Sequence, residues 1–190
     1  MFNAGVGDAT KLRIKSLFNI LYKYSLTHDI VEKDYVQVMF ANGNPVKREN
    51  KSDKVSFTDD EIRLLWQNLN SIPFTNMILI ELYSGWRPQE LAILKTTDID
   101  LDAGTMKGGM KTAAGKNRIV PIHSLIKPLI ENRVQEAAAL HSEYLFNDMN
   151  GQQGTHMTYD KYRNRFKKIM DRLNMHHGPH ETRHTFTTKA

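Results

Sequence analysis

The hydrophobic pattern of this chain changes its period twice, and this feature limits the possible folds more than any other. Apolar residues recur at helical spacing as far as Leu94, alternate with polar residues between Thr97 and Ile122, and return to helical spacing from about residue 125. A period near 3.6 residues indicates amphipathic helices, and a period of two indicates strands with one buried face. We therefore expect an α+β, mainly α fold, in which a helical domain carries a small antiparallel β-sheet or hairpin insert.

The N-terminal part is predicted to be a helical fragment that precedes this domain. A helix is expected over residues 10–27, and a short helical or turn segment around residues 31–39. Residues 42–56 are mostly polar and charged and include a glycine and a proline, which is typical of a linker. Two helices alone form a poor core, so we interpret residues 1–41 as the last helices of a larger domain and residues 57–190 as the main domain.

The main domain contains several local signals for helix boundaries. Thr58 and Glu61 form a T-x-x-E capping box. The run Met77–Leu82 is almost wholly apolar and predicts a buried helix, which Pro73 can open and Gly85 can end. Further helices are predicted at residues 88–94, 125–140, 158–173 and from 179 to the end.

The composition excludes several classes of protein. The chain has no cysteine, which rules out disulfides, thiolate zinc sites, iron–sulfur clusters and cysteine nucleophiles. No apolar run approaches membrane-spanning length and the N-terminus lacks an apolar signal core, so we expect a cytoplasmic protein with no membrane partner. The formal net charge of +5 favours a polyanion such as nucleic acid as the partner.

The stretch SGWRPQEL contains the first candidate site. Arg87 lies at a helix start, between Gly85 and Pro88, where the helix dipole favours anions. Glu90 shares its helix face and can orient the guanidinium. The alternative is a surface ion pair that contributes little to stability.

Basic side chains recur on two further elements. Lysines at a β-hairpin with its tip around residues 112–117 can contact phosphates, but lysines also keep ordinary hairpins soluble. The helix at residues 158–173 has a basic face that can lie along DNA or simply be solvated. The candidate DNA-binding residues are Lys107, Lys116, Arg118, Lys161, Arg165, Lys168 and Arg172.

The stretch GPHETRH allows two functional interpretations. It matches H-E-x-x-H, in which His180 and His184 would bind zinc and Glu181 would activate water. It also reads as H-x-x-R at a helix start, where His180 and Arg183 form a phosphate site with a proton-transfer group. We expect no metal, because the usual downstream ligand is absent and Arg183 would place a cation beside it. A packing role for the histidines stays open.

These motifs acquire a specific meaning in combination. SGWRPQEL, a lysine in a hairpin that ends in RIVPI, and HETRHTF occur in the order and at separations that resemble the tyrosine recombinase (phage integrase) family. The resemblance covers residues 57–190 as a catalytic domain, and residues 10–45 resemble the last helices of the family's core-binding domain. It implies DNA integration by site-specific recombination, through a 3′-phosphotyrosyl intermediate and without a cofactor. The implied partners are duplex DNA at attachment sites and further copies of the chain, because the family acts as a tetramer.

The resemblance also implies roles for the matching basic residues. Arg87 and Arg183 would bind the scissile phosphate and stabilise its transition state. Lys111, in the hairpin, would protonate the leaving 5′ oxygen. Lys107 and Lys116 are rival assignments for this lysine, because hairpin lengths vary.

Other positions match the family less completely. His180 would exchange a proton with the nucleophile, and Glu90 and His184 would support the site. Thr182 stands where the family usually has an apolar residue. The family's nucleophilic tyrosine is absent, because no tyrosine follows Tyr162. We therefore expect a truncated catalytic domain that binds DNA without cleaving it unaided; the alternatives are a non-catalytic DNA-binding module of the same fold and a zinc hydrolase.

Overall fold

The chain divides into two compact units in the computed structural model, Met1–Asp53 and Lys54–Ala190. In the first unit, helix α1 spans Asp8–Thr27 and confirms the helix predicted there. Leu17, Leu21 and Tyr24 on this helix are each more than half exposed. The structure describes residues 7–36, 39, 55–110, 117–147 and 155–189. Most of the predicted linker and the tip of the predicted hairpin lie outside these ranges.

The second unit contains a three-stranded antiparallel sheet with helices before and after it, which confirms the predicted mainly α fold with a β insert. The strands lie in the order β1-β2-β3, and Met106 on the central strand pairs with Ile99 and Val120. In chain order the elements are α2 (Asp59–Gln67), α3 (Thr75–Ser84), α4 (Pro88–Ala92), β1 (Ile99–Asp100), β2 (Thr105–Gly108), β3 (Arg118–Pro121), α5 (Lys127–Ala139), α6 (Tyr159–Arg172) and α7 (Pro179–Lys189).

Local sequence signals set the start of α2 but not the start of α3. The capping box of Thr58 and Glu61 forms as predicted, and it satisfies backbone groups at the start of α2. The prediction that Pro73 opens the next helix is wrong. Phe74 lies between Pro73 and the helix in a left-handed conformation, with φ 69°, so α3 begins only at Thr75.

Helix α3 runs through the middle of the core and packs against α2, α5 and α7. Its run Met77–Leu82 is buried on every side, as its composition predicts. Burying one large apolar side chain contributes roughly 1.5–3 kcal/mol, so this helix is a principal source of stability. The largest other side chains that complete the core are Phe57, Trp86, Phe146, Tyr162 and Phe166.

Gly85 ends α3 at the point where α7 crosses it. The residue has a φ of 63°, in the left-handed region that glycine adopts without strain. A Cβ at this position would lie 2.3 Å from Cδ1 of Phe186 on α7. Only glycine therefore permits α7 to approach the end of α3 this closely, and the approach brings the first turns of α7 next to Arg87.

We expect Gly85→Ala to destabilise the second unit strongly. The left-handed backbone alone should cost about 1 kcal/mol with a Cβ, and the clash with the Phe186 ring should add about 1–3 kcal/mol. Denaturant unfolding measures both contributions together.

Gly104→Ala is the matched control. Gly104 has a φ of 65°, but a Cβ there would meet nothing within 4 Å. Gly104→Ala should therefore lower the free energy of unfolding only by the cost of the left-handed backbone. Equal losses in the two variants would show that the approach of Phe186 to Gly85 is not restrictive.

Candidate active site

Helix α4 presents Arg87 and Glu90 at its start. Arg87 is the N-cap residue and Pro88 takes the first helical position, as their order predicts. Nη1 of Arg87 donates a hydrogen bond of 2.9 Å to Oε1 of Glu90. The Glu90 side chain is only 4% exposed. The pair is therefore not confined to the surface, as the alternative interpretation required.

Glu90 also binds both sides of the β-hairpin. Nη2 of Arg118, at the start of β3, donates to Oε2 of Glu90 at 2.9 Å, and the backbone N–H of Met110, just after β2, donates to Oε1 at 3.3 Å. Burial acts to raise the pKa of Glu90, but the Met110 hydrogen bond and the charges of Arg118 and Arg87 outweigh it and lower that pKa. One ionised carboxylate thus joins α4 to β2 and β3.

Arg118 is directed into this cluster. Its guanidinium lies over the ring of Trp86 at 4.3 Å, and its side chain is only 20% exposed. Burial lowers the pKa of Arg118; the charge of Glu90 raises it, and those of Arg183 and Arg87 lower it further. Arg87, Arg118 and Arg183 are therefore close enough for their positive charges to interact.

The first turns of α7 complete the arrangement. Nη1 of Arg183 donates a hydrogen bond to the carbonyl oxygen of Gly85. His180 is exposed at the start of α7, with its ring centroid 6.4 Å from that of Tyr159. His184 is half-buried. The fold thus brings Arg183 to Gly85, two residues before Arg87, although the two arginines are 96 positions apart in the sequence.

Glu181 makes hydrogen bonds that the H-E-x-x-H motif does not predict. Its Oε2 accepts from the N–H of Gly178 at 3.2 Å and lies 2.8 Å from Nδ1 of His177. Nε2 of His177 lies 3.0 Å from Oε1 of Glu61, so this histidine links the starts of α7 and α2. No group of three or more metal-ligating side chains occurs within the described parts of the chain. The zinc interpretation therefore gains no support from the structure.

The remaining basic residues divide into two groups. Those exposed on β2 and α6 are Lys107, Lys161, Lys168 and Arg172. Arg165 is half-buried and lies over the ring of Phe74 at 4.2 Å. Lys111 and Lys116 lie outside the described residues.

Sequence reasoning missed the buried polar group next to this site. Glu81 is fully buried on α3, and the buried hydroxyl of Tyr162 donates a hydrogen bond to its Oε2. Burial, together with Glu81, raises the pKa of Tyr162 well above its ordinary value, so Tyr162 is not placed to act as a nucleophile. The available signal was that Glu81 is the one charged residue in the apolar run Met77–Leu82.

Comparisons with known proteins identify a matching family model and similar folds. The model of the phage integrase family matches residues 56–189, which is most of the chain. No protein of curated function matches the sequence.

Solved structures share the fold at low sequence identity. The Tn1549 transposon integrase, in complex with circular intermediate DNA, is 18% identical with a TM-score of 0.77, and the alignment covers 97% of this chain and 67% of that one. XerA recombinase is 19% identical with a TM-score of 0.62, covering 97% and 69%. Lambda integrase, as a tetramer bound to a Holliday junction, is 16% identical with a TM-score of 0.69, covering 92% and 52%. The chain thus spans about two thirds of the first two proteins and half of the third.

We expect Glu90→Gln to lower the free energy of unfolding by about 2 kcal/mol, because it leaves two partly buried guanidinium groups without an anionic partner. The lowered pKa of Glu90 gives a contribution that is present above its unfolded-state pKa and is lost as the pH falls through the folded-state value. The difference between wild type and variant should therefore persist at pH 7 and shrink below about pH 4. Denaturant unfolding across this pH range measures it.

Glu143→Gln is the matched control. Glu143 pairs with Lys95 at 3.0 Å, but these side chains are 72% and 46% exposed. Glu143→Gln should lower the free energy of unfolding by less than about 1 kcal/mol. Similar losses for Glu90→Gln and Glu143→Gln would mean that the Glu90 cluster does not depend on charge.

Proposed function

Because the chain belongs to the phage integrase family, we propose that it acts in site-specific DNA recombination and binds the DNA phosphate at the cluster formed by Arg87, Arg118 and Arg183. The observation that carries this proposal is that Glu90 pairs with Arg87 and Arg118, while the charges of Arg87 and Arg183 both act on Arg118. Positive charge is therefore in excess where two helices begin. Guanidinium is always charged and can bind two phosphate oxygens at once.

Each residue that matches the family's motifs has a chemical role in this proposal. Arg87 and Arg183 bind the non-bridging oxygens of the scissile phosphate and stabilise the charge that develops there. Glu90 holds Arg87 in position. His180, exposed three residues before Arg183, exchanges a proton with the attacking hydroxyl. Lys111 directly follows Met110, whose N–H is bound to Glu90, and it protonates the leaving 5′ oxygen.

The reaction is a transesterification. In the family's reaction a tyrosine hydroxyl loses its proton and attacks phosphorus, which forms a 3′-phosphotyrosyl bond, while the bond to the 5′ oxygen breaks and that oxygen gains a proton. No tyrosine follows Tyr162 in this sequence, so the attacking hydroxyl is not assigned to one of its residues. A 5′ hydroxyl of a second strand then attacks the phosphotyrosyl bond and releases the tyrosine. One phosphate ester replaces another in each step, so the exchange needs no external energy source and no cofactor.

DNA and further copies of the chain are the proposed partners. The similar Tn1549 integrase has been solved with DNA, and lambda integrase as a tetramer on a Holliday junction. The exposed basic residues of α6 and β2 are the proposed contacts to flanking phosphates. Within the described residues, no helix has the length and apolar character needed to cross a membrane. We place the protein in the cytoplasm, where it meets DNA.

We expect the double variant Arg87→Ala/Arg183→Ala to bind duplex DNA at least about tenfold more weakly than wild type at moderate salt. Each lost phosphate contact should also reduce the slope of log affinity against log salt by about one. Fluorescence anisotropy across a salt series, with duplexes of unrelated sequence, measures both quantities.

The control is Arg63→Ala/Lys95→Ala, which removes the same charge from exposed ion pairs outside the cluster. It should change the affinity less and leave the salt slope nearer to that of wild type. If the two double variants weaken binding equally, the arginine cluster does not bind phosphate. That outcome would favour a non-catalytic DNA-binding module of the same fold.

A further inference from the structure

Glu81 is a buried carboxyl group that the proposed chemistry does not use. It lies on α3, fully buried, and its Oε2 accepts a hydrogen bond from Tyr162 on α6. Its other oxygen, Oε1, is also buried and has no hydrogen-bond partner among the described residues. An ionised carboxylate with one oxygen left unpaired in a core is strongly unfavourable, and a neutral carboxyl is much less so.

The surroundings of Glu81 favour the neutral form. Burial raises the pKa of Glu81 to about 8, although the hydrogen bond from Tyr162 and the charge of Arg183 act to lower it. The titratable groups that face it are Tyr162 on α6, with Tyr159 acting on Tyr162, and Arg183 on α7. At pH 7 the carboxyl therefore carries a proton that can be donated.

Thr182 lies on α7, which packs against α3, and its side chain is close enough to Glu81 to act on it, so it is suited to accept that proton in a hydrogen bond. Its own hydroxyl hydrogen is donated to the carbonyl oxygen of Pro179 at 2.6 Å, so towards Glu81 it can act only as an acceptor. Thr182 is fully buried and lies directly before Arg183. The polar residue that departs from the family's usual apolar one thus faces the buried acid of this chain.

We propose that neutral Glu81 is a positioning residue, which joins Tyr162 on α6 to Thr182 in the first turn of α7 and thereby holds Arg183 and His180 at the phosphate. The inference rests on the proposed function for its last step only. Two consequences follow. The fold should favour the protonated carboxyl, and ionisation should place an anion beside Arg183 that competes with phosphate for its guanidinium.

The first test compares the stability of wild type and Glu81→Gln. Glutamine has nearly the shape of the neutral carboxyl, keeps one acceptor oxygen and a donor on the other terminal atom, and does not titrate. A raised pKa gives a contribution that is fully present below the unfolded-state value and is lost as the pH rises through the folded-state value. The free energy of unfolding of wild type should therefore fall relative to Glu81→Gln between about pH 5 and pH 8. A difference that stays constant over this range would overturn the inference, whether or not the chain binds DNA.

The second test measures affinity for a DNA duplex from pH 7 to pH 9.5 at fixed salt. Affinity of wild type should fall about tenfold relative to Glu81→Gln as the pH rises through the pKa of Glu81. No cysteine is present to titrate in this range. A different result is that the DNA affinities of wild type and Glu81→Gln change with pH in the same way. Together with the expected stability difference, that result would show that Glu81 is neutral but does not position Arg183. Absence of binding by both proteins would instead contradict the proposed function.

Tyr162→Phe provides an independent variant that keeps the packing of the aromatic ring. The Tyr162 hydrogen bond lowers the pKa of Glu81, so its removal should raise that pKa further. The midpoint of the affinity loss should then move to higher pH than in wild type. A midpoint that stays in place would show that the loss does not come from Glu81.

Discussion

Like charges that are held close together need an anionic partner, and the buried carboxylate of Glu90 is that partner for Arg87 and Arg118. Its three hydrogen bonds connect α4 to both sides of the hairpin. Arg183 joins the group through the Gly85 carbonyl rather than through a carboxylate. Neutralisation is thus incomplete, and the remaining positive charge is available to a phosphate. The same interaction therefore stabilises the site and, in the proposed function, leaves positive charge for a phosphate.

The sequence allowed most elements to be predicted, because their signals are local. The capping box at Thr58 and the stop at Gly85 depend on neighbouring residues, and both form as predicted. Long-range contacts were harder to foresee. Arg118 was grouped with the hairpin lysines as a DNA-binding residue, but Glu90 and Trp86, from an earlier helix and the turn before it, hold it inside the cluster. Spacing along the chain carries no information about such partners.

The H-E-x-x-H motif shows why a short pattern cannot decide between two chemistries. A glutamate near a helix start can activate a metal-bound water, or it can cap the helix by accepting from the backbone N–H of the N-cap residue. Here Glu181 caps α7 at Gly178 and binds His177. His177 is not part of the motif, and its second ring nitrogen lies near Glu61, far away in sequence. The role of Glu181 is therefore set by a tertiary contact.

Helix α7 needs a fixed rotation about its axis, because Arg183 must point to Gly85 and Arg87 while the Phe186 ring covers Gly85. Apolar packing alone tolerates small rotations, since dispersion contacts have little directionality. A hydrogen bond is directional. The polar pair of Glu81 and Thr182 can therefore fix the rotation of the turn that carries Arg183 more narrowly than an apolar contact in the same place. In this proposal the cost is a buried acid that must keep its proton, which burial favours by raising the pKa of Glu81 to about 8.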